Sequence, residues 1–203
     1  MEFAEVLRRR RMVRDFSSRP VPAEMLDRVL AAALRAPSAG FAQGSELVVL
    51  EGPQTALYWE ATTTPEWRAS NRSHAGTRRA PVVVVPLFDP SAYLRRYSEP
   101  DKSPSGLGEA EESWPVPYWM VDCAFGVMAM LLAAVDEGLG ALFMGVFRGE
   151  EALLRALGVP APLRPLGAVV LGWPEQAPPS ASALRGRRPA SEVVHRGGYR
   201  NPE

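Results

Sequence analysis

The residues most able to do chemistry in this chain are arginines, and they gather at its two ends. Arg8, Arg9, Arg10, Arg11 and Arg14 open the sequence; Arg185, Arg187, Arg188, Arg196 and Arg200 close it. A phosphate monoester carries close to two negative charges and three acceptor oxygens. Arginine meets it with a planar fork of donors and stays charged at any relevant pH. Arg10-Arg11-Met12-Val13-Arg14 places three cations at a helix end and turn, and Arg185-Gly186-Arg187-Arg188-Pro189 places three more in an irregular tail. Two such clusters suit convergence on one phosphate. From composition alone two solvated basic surfaces are the commoner outcome, because most charge runs are simply solvated. Lys102 is the only lysine, so the cations of this chain are arginines almost throughout.

Other constellations are thin. His74 and His195 are the only histidines, so a histidine-based metal site is poorly supplied. Cys123 stands inside an apolar run and reads as an inert core thiol. No phosphate-binding P-loop, nucleophile elbow or Gly-x-Gly-x-x-Gly fingerprint occurs, and no pair of carboxylates stands out. A chain this poor in nucleophiles and metal ligands draws its chemistry from a cofactor, if it has any.

The elements that must position these residues follow from the pattern. A length of 203 residues suits one domain, spanning 1–203. Phe3, Val6 and Leu7 mark a first helix, and Val21-Pro22 opens a second, with Met25, Leu26, Val29, Leu30 and Ala33 at helical spacing. Glu46–Leu50 reads as a strand. Thr62-Thr63-Thr64-Pro65 suits the start of a short helix running to Asn71. Pro81–Leu87 is the clearest strand, a continuous apolar run that suits burial on both faces. Ser98–Trp114, rich in Pro, Gly, Ser and Glu, is expected to be a mobile loop. Trp119–Glu137 is a long apolar helix closed near Gly138 and Gly140; its Val121–Val135 core is expected to be too short for a membrane span. Ala141–Val146 and Leu166–Trp173 follow as extended segments, with a helix at Glu150–Leu157 between them. The expected class is α+β: a small, mostly antiparallel central sheet flanked by helices. Equal counts of 23 acidic and 23 basic residues argue against bulk attraction to nucleic acid or a membrane surface. One cysteine rules out an internal disulfide and fits a reducing compartment, so the expected location is cytoplasmic.

Several segments, in order, resemble the nitroreductase family. Arg10-Arg11-Met12-Val13-Arg14-Asp15-Phe16 followed by Pro20-Val21-Pro22 is similar to its opening Arg-Arg-Ser-x-Arg-x-Phe and Val-Pro-led helix. Ala36-Pro37-Ser38-Ala39-Gly40-Phe41-Ala42-Gln43 resembles its Ala-Pro-Ser-Ala-x-Asn-x-Gln segment. Gly138-Leu139-Gly140 resembles its Gly-Leu-Gly turn, and Arg187-Arg188-Pro189 with Glu192-Val193-Val194 its C-terminal tail. The resemblance implies an FMN-dependent homodimer that takes hydride from NADH or NADPH and reduces nitroaromatics, quinones or other flat small molecules by a ping-pong route. It implies a tail wrapped on the dimer partner. By position, Arg10 and Arg187 would bind the FMN phosphate, assisted by Arg11 or Arg185, and Arg14 would sit at the N1–C2 edge of the ring. Pro37, Ser38 and Ala39 would pack near the ring and ribityl chain, and Met144 and Gly145 near N5. Met12 occupies a cofactor-binding position where a serine is common, so one hydroxyl contact is lost.

Phe41 stands where asparagine is common, which puts the acceptor pocket in question. Phe41, Trp114, Tyr118 and Trp119 are the candidates for its lining, although the last three suit core or dimer packing as well. The stripe Val121, Phe125, Met128, Leu132 reads as core or dimer seam. Asn71, Arg72, His74 and Arg78 suit either a contact to the flavin's pyrimidine edge or an exposed basic helix end. A non-catalytic flavin- or nucleotide-binding module is the alternative reading.

Overall fold

The computed structural model describes residues 1–71, 74–175 and 183–199, so Arg72 and Arg200 lie outside the described residues. In chain order the main elements are α1 (Phe3–Arg9), α2 (Ala23–Ala33), β1 (Ser45–Glu51), α3 (Thr55–Thr62), α4 (Pro65–Ser70), α5 (Ala75–Arg78), β2 (Val82–Phe88), α6 (Pro90–Tyr97), α7 (Tyr118–Asp136), β3 (Gly140–Met144), α8 (Glu150–Leu157), β4 (Arg164–Pro165), β5 (Ala168–Gly172) and α9 (Ala190–Val193).

The sheet is organised around β2, whose seven residues are all buried. Successive side chains of a strand point to opposite faces. Val82 and Val84 accordingly join one core cluster with Leu26 and Val29 of α2 and Val127, Met130, Leu131 and Ala134 of α7. Val83 and Val85 join another with Phe16, Tyr58 and Trp59 of α3, and Leu153 of α8. Helices therefore cover both faces, and each fully buried valine contributes about 1.5–3 kcal/mol. All pairings are antiparallel: β1 with β2, β2 with β5, and β5 with β3, in the order β1-β2-β5-β3, while β4 pairs with the far end of β2. The α+β expectation holds, and β1 and β3 are the outer strands of that path.

Element ends have local causes. Thr64 caps α4 by accepting from the Trp67 N–H at 3.2 Å, with Pro65 in the first turn. Asp89 caps α6 by accepting from the Ser91 N–H at 2.8 Å. Gly158 closes α8 at φ +65°.

Two helices stand where the pattern predicted none. The helix α3 was not legible, because its apolar residues are spread around the helix rather than striped. The helix α6 was missed, although Asp89-Pro90 is a start signal. The segment expected to be a mobile loop contains two short helical turns, at Ser103–Ser105 and Glu111–Ser113, and is anchored at its end by Trp114, which is buried and whose Nε1 donates to the Leu107 carbonyl at 2.7 Å. In addition, α7 is long and apolar enough to cross a bilayer by length and composition. Its inner side is spent on the sheet and α2, as in a core helix.

Candidate functional site

After α1 the chain runs extended along the outer strand β3. Met12 forms a parallel bridge with Ala141, and the Val13 N–H donates to the Ala141 carbonyl at 2.9 Å. Val13 and Phe16 point into the core while Arg11 and Arg14 stay exposed and Arg10 is half-buried. Val13 and Phe16 are three positions apart, so the segment does not keep a strict strand period; its buried apolar side chains anchor it and leave Arg11 and Arg14 outward. The segment is clamped from its other side by α5. The hydroxyl of the buried Thr77 donates to the Arg14 carbonyl at 2.9 Å, and the Phe16 N–H donates to the Gly76 carbonyl at 3.3 Å. A Cβ at Gly76 would displace the Asp15 carboxylate and come within 3.0 Å of the Arg14 carbonyl oxygen, so glycine lets α5 lie close to this segment.

The arginines divide by partner. Arg8 and Arg9 are bound to Glu5, Arg79 to Asp15 and Arg188 to Glu192. The two arginines on Glu5 hold its carboxyl down at about 2. Among the described residues, Arg10, Arg11, Arg14, Arg185 and Arg187 have no carboxylate partner. The same holds for Arg19, Arg35, Arg68, Arg78, Arg148, Arg155 and Arg196; the five are set apart by their place in the two terminal clusters.

Beyond the end of β3, Met144 and Gly145 border a cavity of about 620 Å³. Tyr58, Trp59, Trp67, His74 and Phe147 contribute its aromatic walls. Trp59 is buried, and its Nε1 has no hydrogen-bond partner among the described residues. Burial pushes the Tyr58 hydroxyl up to about 12, so it stays neutral near pH 7. His74 Nδ1 lies 2.8 Å from Asn71 Oδ1, where the ring nitrogen is the donor. Arg78 is half-buried rather than splayed into solvent; it donates to the Arg68 carbonyl at 2.9 Å and lies 5.9 Å over the Trp67 ring.

Pro37 and Ser38 lie elsewhere. They border a smaller cavity of about 240 Å³ with Leu47 of β1, Pro86 of β2 and Asp122, Cys123 and Gly126 of α7. The Ala36–Gly44 turn leads into β1, one outer strand, whereas Arg10–Arg14 runs along β3, the other, and Met144–Gly145 lies at its end. Three strand spacings separate them, about 14 Å at roughly 4.8 Å per strand. One chain therefore does not bring the two halves of the expected site together.

Comparison with known proteins gives this geometry its context. Residues 7–173 match the model of the nitroreductase family. The chain belongs to the nitroreductase family. An oxygen-insensitive NADPH nitroreductase of Salmonella typhimurium is 27% identical over 198 residues, 96% of this chain and 73% of that protein. A Methanothermobacter thermautotrophicus protein assigned as an NADH dehydrogenase or NAD(P)H nitroreductase is 27% identical over 181 residues, 88% of this chain and 80% of the relative. Among solved structures, a nitroreductase family protein of Streptococcus pneumoniae superposes with a TM-score of 0.73 at 18% identity, covering 96% of this chain and 100% of the other. A Desulfovibrio desulfuricans protein assigned to the nitroreductases and solved with FMN superposes with a TM-score of 0.70 at 23% identity, covering 98% and 99%.

In this nitroreductase the four aromatic candidates separate. Trp114 and Trp119 are buried at 7% and 6% exposure, and both pack edge-on against Tyr93. They are core side chains in the single chain and supply no open wall. Tyr118 and Phe41 face solvent, Phe41 at 73% exposure. Cys123 is a core thiol that burial pushes up to about 11. The tail residues Arg185 and Arg187 are exposed, as are Leu184, Val193, Val194 and Tyr199. Sequence reasoning passed over Thr77 and Asp122 as site residues. Asp122 carried the available signal, a carboxylate inside an otherwise apolar helix.

Proposed function

We propose that this nitroreductase binds FMN, takes hydride from NADH or NADPH, and reduces flat acceptors of the nitroaromatic or quinone type. The observation that carries the reading is the Arg10–Arg14 segment. It is bridged to β3, its guanidinium groups have no carboxylate partners among the described residues, and it runs beside the strand that ends at Met144–Gly145.

The residues fit the group. Arg10 and Arg187, with Arg11 or Arg185, would hold the phosphate by charge-assisted forks. Arg14 would sit at the N1–C2 edge and favour negative charge there. Bound flavin supplies the hydride acceptor and donor, which this chain's side chains do not. Pro37, Ser38 and Ala39 would reach the same flavin from a second copy of the chain, which accounts for their place at the opposite sheet edge. The exposed apolar face of α7 and the exposed apolar residues of the tail support such a homodimer, the tail lying across the partner. The aromatic cavity beside Gly145 offers acceptor space. Phe41 and Tyr118 would close that space from the partner.

Purified protein should show flavin absorbance bands that NAD(P)H bleaches and a quinone restores; bleaching separates an enzyme from a passive flavin-binding module. Protein that stays colourless after incubation with FMN would sink the reading. Arg187→Ala removes a charge-assisted contact of about 1.5–3 kcal/mol, so FMN affinity should fall roughly tenfold or more. Riboflavin, which lacks the phosphate, should bind wild type and variant alike.

A further inference from the structure

The turn between α2 and β1 holds an unusual run of backbone. Gly40, Phe41 and Gln43 have φ of +60°, +58° and +52°, and the last two are the non-glycine residues with positive φ among the described residues. An aromatic residue gains nothing sterically from that conformation. Phe41, being exposed, has no packing of its own to offset the strain.

What holds the turn lies beneath it. Asp122, on the inner side of α7, is 5% exposed. Its Oδ2 accepts from the Ala39 N–H at 2.8 Å and from the Tyr93 hydroxyl of α6 at 2.8 Å. Arg96, also on α6, donates from Nε to the Gly40 carbonyl at 2.8 Å and is itself fixed by a fork onto Asp101, both contacts 2.7 Å. Ser38 Oγ accepts from the Gln43 N–H at 3.1 Å. The Tyr97 ring packs under Gly40 so closely that a Cβ there would come within 2.8 Å of it. A buried carboxylate is costly unless it is hydrogen-bonded, and an apolar residue would fill the same space without that cost. Its use here is directional: it ties a core helix to one backbone amide at the base of a strained turn.

We propose that Asp122 is a positioning residue that locks the Ala39–Gln43 turn, with Gly40, Phe41 and Gln43 left-handed, and so holds Phe41 outward as a fixed wall of the acceptor site. The role of the wall rests on the function proposed above; the lock does not. Strain of this kind persists only where surrounding contacts over-determine it. Asp122→Asn keeps an acceptor oxygen and the side-chain shape but gives up the charge that strengthens both bonds.

Hydrogen–deuterium exchange on the purified protein, as isolated, tests the lock directly. In Asp122→Asn, amides of the 38–43 segment should exchange about tenfold faster or more, while those of β2 and β5 keep their wild-type rates. Adding Gln43→Gly, which removes the cost of one left-handed residue, should bring the segment back toward wild-type protection. Tyr93→Phe, which leaves the carboxylate with the Ala39 bond alone, should give an intermediate rate, and it carries the test if Asp122→Asn does not fold. Steady-state kinetics with 1,4-benzoquinone on the FMN-saturated variant should show KM raised by about fivefold. Unchanged exchange at 38–43, or acceleration shared by β2 and β5, overturns the lock. Accelerated exchange with an unchanged quinone KM overturns the wall.

Discussion

Met128→Glu is expected to give a folded monomer that has lost most of its FMN. The outer face of α7 presents Met120, Phe125 and Met128 at 39%, 49% and 40% exposure, and α1, which packs on α7, adds the exposed Phe3 and Leu7. An apolar surface of this extent on a helix whose other side is fully packed is a surface meant to be covered. On the function proposed above, a second copy is the occupant that would also complete the site, supplying Pro37–Ala39 to the Met144–Gly145 end of its partner. A glutamate placed in a two-fold seam is buried without a counter-charge on both sides. Each such charge costs about 3–5 kcal/mol, so the dimer dissociation constant should rise a thousandfold or more. The single chain should tolerate the change, since Met128 is exposed there and glutamate is a good helix former. Sedimentation at micromolar concentration should give twice the 22.1 kDa chain mass for wild type and the chain mass for the variant. A variant that remains dimeric and fully flavin-loaded would show that this face is not the seam, and a flavin-loaded wild-type monomer would show that the site needs no second copy.

The second large effect is on stability, at Gly149. This residue precedes α8 at φ +72°, and a Cβ there would press into the carbonyl oxygen of Ala61 in α3. Two costs combine. An L-residue in the left-handed region costs roughly 1–2 kcal/mol. Forcing apart packed backbone costs about 1–3 kcal/mol more. Gly149→Ala should therefore destabilise the protein by roughly 2–5 kcal/mol in urea unfolding, a large part of the usual margin. Gly158→Ala is the control: its φ is +65°, but nothing lies within 4 Å of the added Cβ, so only the conformational cost applies. Equal losses in the two variants would show that the approach of α3 to Gly149 carries no energy. Because Gly149 and the end of α3 both border the 620 Å³ cavity, the first variant should also weaken acceptor binding and the second should not.

The amino-acid sequence by itself determined the class of fold and the identity of the cations. Proline-bounded valines specify a strand buried on both faces regardless of what covers it, and Val82–Phe88 is that strand. Glu150–Leu157 with Gly158 carries its own period and stop signal. The arginine clusters were visible because charge is written in composition. Which arginines are engaged by carboxylates was not, since Arg79 finds Asp15 across 64 residues. Trp114, Tyr118 and Trp119 looked alike in sequence, yet burial put two of them in the core and left one outside, a choice made by α6 packing beneath them. The strain at Phe41 and the anchor at Asp122 are 81 positions apart and belong to different elements. Local pattern carries no information about such pairs. The placement of the two proposed half-sites on opposite sheet edges was equally hidden, because strand order, unlike strand existence, is fixed only when the two faces of the sheet are packed and each strand takes the neighbour that buries its apolar side.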